Sequence, residues 1–400
     1  MTLQRNANVL VAIHRETAIN VQATATGAIQ MRVLPSAGVQ LQRAQIQSNE
    51  KRSDLLKSLA RLGYKTVSGD YDSEHTVGGH TDLLHESIMR STWATATNIG
   101  FATMTSVLLA TNAVIATGGS WITQGVKVGD IFTISGTTVS ADNGLNTRAL
   151  SVSTLTIGVA TGTFVTLATT ATGTLTILKK LSVAATPTRY SHTIEQYDGD
   201  TDLSELFTGN RLTGMHVTCK PGQPVTVKYT FMGCDRTALA TGTSPYFTTP
   251  TLTTGLAFIT EDSSIRYNGA LAAQFTGFDL DFKIATKGEA VISSLVTPDL
   301  FDDDFEMTGT ITGLRSDFSN LTLFDAETEF DVSIKLEEPN TGPPKSCFAY
   351  FLSRVKLGGI NAPFGGGDGG KIETLQLLVG PKVATSVYDA GYITIHSSAP

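Results

Sequence analysis

Several stretches of the chain alternate apolar and polar residues with the two-residue period of a β-strand. The period is clearest in PVTVKYTFMG, residues 224–233, and in GFDLDFKI, residues 277–284. Successive side chains of a strand point to opposite faces of the sheet, so each of these strands has one apolar and one polar face. This pattern is typical of antiparallel sheets that bury one face. Further strands are predicted in MHVTCK, FEMTGTITG, EFDVSIKLEE and KIETLQLLVG.

Two segments instead have the three- and four-residue spacing of an amphipathic helix. The first is SNEKRSDLLKSLARLG, residues 48–63, which Gly63 would end and whose apolar positions are Leu55, Leu56, Leu59 and Leu62. The second is TDLLHESIMRSTW, residues 81–93, with Thr81 as the N-cap and Asp82 in the first turn. Because helices are few and short, we predict a mainly β fold.

The middle of the chain has a different composition. Between Phe101 and Leu178 charged residues are scarce, while threonine, glycine, alanine and valine dominate. Short apolar runs at close spacing predict a small β-barrel or sandwich, and disorder is the alternative for the low-complexity run TLATTATGTLTI. We therefore expect a first core half at residues 1–110 with an N-terminal arm at 1–30, an inserted Thr/Gly-rich β-domain at 111–180, and a second core half at 181–400.

Composition narrows the class of protein. The chain has 29 Lys and Arg against 36 Asp and Glu, a net charge of −7, which argues against tight binding to nucleic acid phosphates. Three cysteines without CxxC spacing argue against a disulfide scaffold and favour a reducing compartment. The apolar run from Val107 to Ala116 is too short to span a membrane, and no secretory signal is visible. We expect a soluble protein with no membrane partner.

Motifs that would carry enzymatic or metal chemistry are incomplete. GGGDGGKI, residues 365–372, has Ile372 where a phosphate loop needs Ser or Thr, so a flexible glycine loop between strands is the better interpretation. DGDTDLSE, residues 198–205, lacks the glycine and glutamate of a calcium loop, and we expect a solvated acidic loop. Five-residue spacing favours polar surface positions over a metal site for His75, His80 and His85. We predict no enzymatic activity, no metal and no cofactor.

The order of these elements carries a resemblance. Residues 45–93, and then YSHTIEQYD, LFTGNRLTGMHVTCKPGQPVTVKYTFMG, TGTITG and FLSRVKLGGINAPFGGGDGGKIETLQLLV, follow one another as in phage tail tube proteins of long-tailed phages. In the first half the matching residues are Ser48, Glu50, Arg52, Ser53, Asp54, Gly63, Val67, Gly69, Glu74, Asp82, Leu83, Leu84 and Trp93. GDIFTISG resembles a small β-domain that some tube proteins carry as an insertion, whereas Ser353 stands where proline is expected.

The resemblance implies a structural virion protein with an antiparallel β-sandwich or barrel and a short flanking helix. Copies of the chain would form hexameric rings that stack into a hollow tube, through which DNA passes into the host without tight binding. Expected partners are further copies and other tail proteins (tape measure, terminator and tip), and assembly would occur in the host cytoplasm. The N-terminal arm would order only when the next ring arrives. Contacts between subunits or rings are expected at Glu50, Arg52, Asp54, Asp70, Asp72 and Glu74.

An acidic chain suits a conduit for DNA because carboxylates repel phosphate. The densest acidic cluster, FDDDFE at residues 301–306, is interpreted most simply as a solvated loop. Together with the acidic side of GFDLDFKI, it supplies the predicted lumen-lining residues Asp279, Asp281, Asp302, Asp303, Asp304 and Glu306. The inserted domain would lie outside the tube, since an addition of that size would block the channel.

Two other classes of protein stay open at this point. A receptor- or carbohydrate-binding β-module of a tail tip or cell surface would favour clustered exposed aromatic residues, and the chain has only two Trp. A glycan hydrolase on a β-scaffold would need two carboxylates held at catalytic separation in a cleft.

Overall fold

The alternating segments form strands in the computed structural model of the chain. It describes residues 3–5, 8–51, 53–54, 56–272, 274–338, 345–363 and 369–399. Strands make up 49% and helices 8%, and the sheets are antiparallel, so the predicted mainly β class is confirmed.

The first part of the chain contains four strands and a helix. These elements are β1 (Val9–Arg15), β2 (Ile29–Met31), β3 (Gly38–Ile46), β4 (Arg61–Glu74) and α1 (Gly79–Met89).

Short strands follow in the Thr-rich middle, with 3₁₀ turns at Phe101–Met104 and Ser140–Asp142. The strands are β5 (Thr97–Gly100), β6 (Val107–Ala110), β7 (Ala113–Ala116), β8 (Ile131–Ser135), β9 (Thr147–Arg148), β10 (Ser151–Val152), β11 (Thr156–Gly158), β12 (Leu167–Thr170) and β13 (Thr174–Ile177).

The last part of the chain has longer strands, a second helix and a 3₁₀ turn at Thr260–Asp262. Up to residue 288 the strands are β14 (Lys179–Leu181), β15 (His192–Asp198), β16 (Leu203–Cys219), β17 (Thr226–Gly233), β18 (Asp235–Leu239), β19 (Thr251–Leu252), β20 (Ser263–Tyr267), β21 (Ala270–Leu271) and β22 (Phe275–Gly288). The remaining elements are β23 (Leu300–Leu314), α2 (Ser319–Asp325), β24 (Phe330–Glu337), β25 (Cys347–Asn361), β26 (Ile372–Val379) and β27 (Thr394–Ser397).

The long strands form one large antiparallel sheet that folds into a sandwich. One layer contains β3, β4, β17, β16, β22 and β23 in that order, and β26 connects it to a second layer of β25, β24 and β20. The two layers share one core, in which the rings of Phe282 and Tyr350 lie 6.4 Å apart. We call this part the main sandwich.

The predicted alternation holds within this core. The apolar side chains of β17 and β22 are buried, at Val227, Tyr229, Phe231, Phe278, Leu280, Phe282 and Ile284, with Val225 just before β17. Helix α1 packs into the same core through Leu84 and Ile88. It begins three residues earlier than predicted, because Gly78, with φ of 77°, is the N-cap instead of Thr81.

The short strands form two separate sheets, with orders β10–β11–β7–β6–β12 and β5–β13–β8–β9. They share a second apolar core that includes Trp121 and Phe132. We call residues 97–177 the inserted region. It rests on the outer side of β25, where Ile131 and Leu178 contact Cys347 and Ala349.

The first predicted helix is wrong. The described residues between 47 and 60, which leave out Arg52 and Leu55, form an irregular connection between β3 and β4. The apolar stripe has no core to pack against, since Leu56, Leu59 and Leu62 are all exposed. A short helix needs such tertiary packing to be stable in water, which explains why the spacing was misleading. A helix that the periodicity did not indicate, α2, occurs instead after β23.

The acidic cluster at 301–306 is not a loop. It lies within β23, where Glu306 pairs with Lys283 of β22 and Asp302 with Thr286. Phe301 and Phe305 within the run are compatible with a strand, and an irregularity in the register between these pairs changes which side chains face inward.

The three regularly spaced histidines are buried, contrary to the predicted surface position. His75, His80 and His85 have no exposed area. The Tyr350 hydroxyl lies 2.7 Å from Nε2 of His75 and 2.9 Å from Nε2 of His85. Nδ1 of His85 donates to the Thr81 carbonyl oxygen at 2.6 Å, so its Nε2 accepts from Tyr350. In the described residues, no group of three or more His, Cys, Asp or Glu side chains could hold a metal ion.

Part of the N-terminal arm is ordered in the single chain, whereas we expected it to order only when the next ring arrives. β1 pairs along its whole length with β15, and Val11 and Ile13 are buried in the main core. Its continuous apolar run, VLVAI, forms a strand that the Asn- and Thr-rich flanks obscured in the sequence.

The two segments that resembled a calcium loop and a phosphate loop connect neighbouring strands. The DGDTDLSE segment is the turn between β15 and β16, where Asp200 accepts hydrogen bonds from Arg5 and Asn8. The GGGDGGKI segment connects β25 to β26, but residues 364–368 lie outside the described residues.

Candidate assembly surfaces

The polar side of the main sandwich brings together acidic residues that are far apart in the sequence. Side chains of five neighbouring strands, β4, β17, β16, β22 and β23, align in three rows across this side. The rows are Asp72–Lys228–His216–Asp281–Thr308, Asp70–Thr230–Gly214–Lys283–Glu306 and Glu74–Thr226–Thr218–Asp279–Thr310. We call the carboxylates of these rows, Asp70, Asp72, Glu74, Asp279, Asp281 and Glu306, the acidic face.

Cations neutralise this face only in part. Lys228 Nζ lies 2.8 Å from Asp70 Oδ2, and this contact raises the pKa of the lysine. His216 lies between Asp279 and Asp281, at 3.6 and 3.7 Å. Among the described residues, Asp72 and Glu306 have no ion-pair partner within 4.0 Å. The face therefore keeps a negative charge.

Threonine hydroxyls fill much of the space between the charges. Thr218 Oγ1 donates to Asp279 Oδ1 at 2.8 Å, and Thr310 Oγ1 lies 3.4 Å from the other carboxylate oxygen. These bonds hold the Asp279 carboxylate in place. The resulting surface is hydroxyl-rich and acidic, and it offers phosphate groups few cationic partners.

The predicted lumen residues do not all lie on this face. Asp279, Asp281 and Glu306 belong to it, while Asp303 and Asp304 are exposed near the start of β23. The Asp302 side chain is only 6% exposed and lies 3.5 Å from Arg211 Nη1 and 3.9 Å from Arg189 Nε. Its carboxylate is therefore used in an internal ion pair.

The predicted contact residues divide into two groups. Asp70, Asp72 and Glu74 lie on the acidic face, beside the predicted lumen residues. Glu50 and Asp54 lie in the exposed β3–β4 connection, whereas Arg52 is outside the described residues. The period of β4, with Tyr71 buried between two aspartates, was the available signal for the first group.

The β3–β4 connection also presents an unusual apolar surface. Leu59 is 95% exposed and Ile292 of a neighbouring loop 98%. The loop of Ile292 approaches the start of β4, where the Lys65 amide donates to the Leu295 carbonyl oxygen at 2.8 Å. We define the apolar tip as Ile46, Leu56, Leu59, Leu62, Ile292 and Leu295, which are all exposed. Such an exposed apolar group is typical of a surface that another protein covers.

Strand β3 is an open edge of the sheet. Of the described strands, only β4 pairs with it, so its other side has no strand partner. An edge of this length readily pairs with a strand of another chain.

Comparison with known proteins gives a family. A family model described as phage tail tube protein matches residues 6–377. This range includes the acidic face, the apolar tip and the inserted region. No curated protein matches the chain. None of the helices in the described residues is long and apolar enough to cross a membrane.

Proposed function

Because the chain belongs to the phage tail tube protein family, and is thus a structural component of the virion tail, we propose that its copies form hexameric rings stacked into a tube for DNA ejection. The acidic face is the observation that supports this function. Its six carboxylates lie on one side of a single sheet, on β4, β22 and β23, with Lys228, His216 and threonines of the two central strands between them. Closed into a ring, it would form a lumen wall that repels the phosphates of passing DNA.

This proposal assigns Asp70, Asp72 and Glu74 to the lumen instead of to subunit contacts. Asp72 and Glu74 share rows with Asp281 and Asp279, and Asp70 lies on the same side of the sheet. If Asp279 and Asp281 face the bore, the acids of β4 on the same surface face it too. Asp303 and Asp304 would extend the acidic wall beyond the rows. Asp302 is left out because Arg211 and Arg189 bind its carboxylate.

The ring and the stack would use different surfaces. The free edge of β3 would pair with a neighbouring subunit, which removes an unpaired edge. The apolar tip, near Glu50 and Asp54 in the β3–β4 connection, would bind the next ring through a heterologous contact that repeats along the tube.

The inserted region would lie on the outside of the tube. It covers Cys347, Ala349 and Phe351, which point away from the core, whereas Phe348 and Tyr350 of the same strand point into it. The acidic face lies across the core on the other layer. If that face lines the lumen, the inserted region is external. We place this domain at residues 97–177, earlier in the chain than the boundary at 111, because β5 pairs with β13.

Negative-stain microscopy of the purified chain tests the function. We expect rings or tubes in the wild type, and rings without tubes for Leu59→Asp, since a carboxylate would disrupt the apolar contact between rings. Leu155→Asp is the matched control, because Leu155 is an exposed leucine of the inserted region. It should form tubes. Dispersed monomers of the wild type under all conditions would contradict the proposal and favour a receptor-binding module.

A further inference from the structure

A cavity of about 340 Å³ lies between the inserted region and the second layer of the main sandwich. Residues 145–148, 150, 160 and 163 of the inserted region form one wall, and residues of β20, β21 and β24 with Lys345 form the other. Its charged lining residues are Arg148, Arg266, Lys335, Glu337 and Lys345. Four positive side chains thus surround one carboxylate.

The single carboxylate is already used. Glu337 Oε2 lies 2.7 Å from Lys335 Nζ, and its Oε1 accepts a hydrogen bond from Asn146 Nδ2 at 3.0 Å. Lys335 also donates to the Asn146 carbonyl oxygen at 3.1 Å. These contacts form a closed local network, so Glu337 does not balance the other cations.

Arg148 is the unusual member of the cavity. The residue is 9% exposed, and neither Nη1 nor Nη2 has a hydrogen-bond partner among the described residues. The centre of the Phe351 ring lies 5.9 Å from the guanidinium carbon, and the Asp331 carboxylate also favours the charged form without a hydrogen bond to Nη1 or Nη2. Burial lowers the pKa of Arg148 to about 10, and nearby Arg266 also acts to lower it. A buried cation without a partner is costly, so the site favours a negative group.

Two further cations of the cavity, Arg266 and Lys345, could also bind a negative group. In the described part of the chain, Arg266 and Lys345 form no ion pair within 4.0 Å. Arg148 comes from β9 of the inserted region and Arg266 from β20 of the main sandwich. Without a ligand, two cations face each other across the junction of the two regions.

We propose that this cavity binds a small oxyanion of the phosphate or sulfate type, which links the inserted region to the main sandwich. Guanidinium groups bind such ions through paired, charge-assisted hydrogen bonds. The ion would satisfy the free nitrogens of Arg148 and remove its repulsion with Arg266. The cavity is large enough for the ion and several waters.

Calorimetric titration of the full chain with inorganic phosphate tests this site. The control titration uses sodium chloride at the same ionic strength, which separates specific binding from general screening. We expect saturable binding at one site per chain, and a melting temperature about 2 °C higher at a phosphate concentration well above Kd. The absence of both heat and a melting shift would overturn the proposal.

Two variants locate the site. Arg266→Gln should weaken phosphate binding by about tenfold or more, because one charged hydrogen-bond donor is lost. Lys220→Gln, which removes an exposed lysine outside the cavity, should bind phosphate like the wild type. Arg148→Met should abolish binding, and if this variant does not fold, Arg266→Gln alone decides. Equal affinities of Arg266→Gln and Lys220→Gln would place the anion elsewhere and refute the site.

Discussion

The main sandwich and the inserted region bury different chemistry. The core of the main sandwich encloses polar and ionisable side chains next to its apolar ones, with His75, His80, His85 and His192 fully buried. The inserted region has no histidine in its sequence. Its core is apolar around Trp121, and the charged side chains that it buries are Asp130, Asp142 and Arg148. Two cores of one chain thus differ in how strongly their stability depends on protonation.

The difference has a structural basis. In the main sandwich the buried histidines link helix α1 to the sheets, since His85 and His75 share the Tyr350 hydroxyl of β25. His192 likewise lies 3.1 Å from the Ser87 hydroxyl of α1. These bonds require neutral rings that donate or accept at defined nitrogens. Acid therefore acts on the contacts that join α1 to the sheets of the main sandwich.

The largest expected effect is therefore the loss of stability in acid. Burial lowers the pKa of His80 and His85 to about 4 and of His192 to about 3, against about 6.5 in the unfolded chain. The unfolded chain binds protons that the folded chain refuses. The contribution of these histidines to stability is thus complete above pH 6.5, and it is lost as the pH falls towards and through their pKa values in the folded chain. The free energy of unfolding should fall by about 2 kcal/mol per histidine between pH 7 and pH 5.

Urea unfolding at the two pH values measures this loss. Burial raises the pKa of Glu16 and Asp82, which acts in the opposite direction and makes the net loss smaller. Trp93→Phe leaves Trp121 as a fluorescent reporter of the inserted region alone. We expect circular dichroism of the whole chain to shift more with pH than Trp121 fluorescence. A shift of equal size in both signals would mean that the two cores unfold as one.

The second prediction separates the two regions at their junction. Gly129 has φ of 92°, and a side chain at this position would collide with the Phe351 ring of the main sandwich. Gly125 has φ of 87° and no atom within 4 Å of the corresponding position. Gly125→Ala should lose about 1 kcal/mol from backbone strain alone. Gly129→Ala should lose about 2 kcal/mol more, because the regions must also move apart.

Chemical denaturation of both variants provides the measurement. The Gly125 variant is the control for strain, so only the excess loss at Gly129 reports on packing between the regions. If the two variants lose the same free energy, the junction is loose and the inserted region is attached mainly through its two chain connections.

Local patterns were sufficient for the strands but not for the surfaces. The alternation in β17 and β22 predicted both the strands and their buried sides, because a period of two depends on neighbouring residues only. The leucine spacing of 48–63 predicted a helix in a segment whose leucines have no core to enter. Burial of His85 depends on Tyr350, which is 265 positions away. No local pattern reports a contact at that separation.

The acidic face likewise could not be predicted from local sequence patterns. The acids of β4 and those of β22 were each visible in the sequence, yet they were given different roles. Their common surface depends on the pairing of both strands with β16 and β17, which sets the register between them. The sequence identified acidic residues, and only the sheet order placed them together.

The smallest effect on stability should come from the acidic face, and there the consequence is functional. Asp281→Lys changes a half-exposed side chain whose Oδ1 lies 3.7 Å from His216 Nδ1. We expect the free energy of unfolding to change by no more than about 0.5 kcal/mol. A lysine on the lumen wall should nevertheless attract phosphate, so phage particles assembled with this variant should release DNA more slowly.

Asp325→Lys is the control, because Asp325 is exposed at the end of α2 and lies outside the acidic face. Ejection followed with a DNA-binding dye, at low and high salt, distinguishes the two. If Asp281→Lys slows ejection at low salt but not at high salt, and Asp325→Lys changes neither rate, the acidic face is the surface along which DNA moves. If the two variants eject DNA at equal rates, that face lies away from the bore.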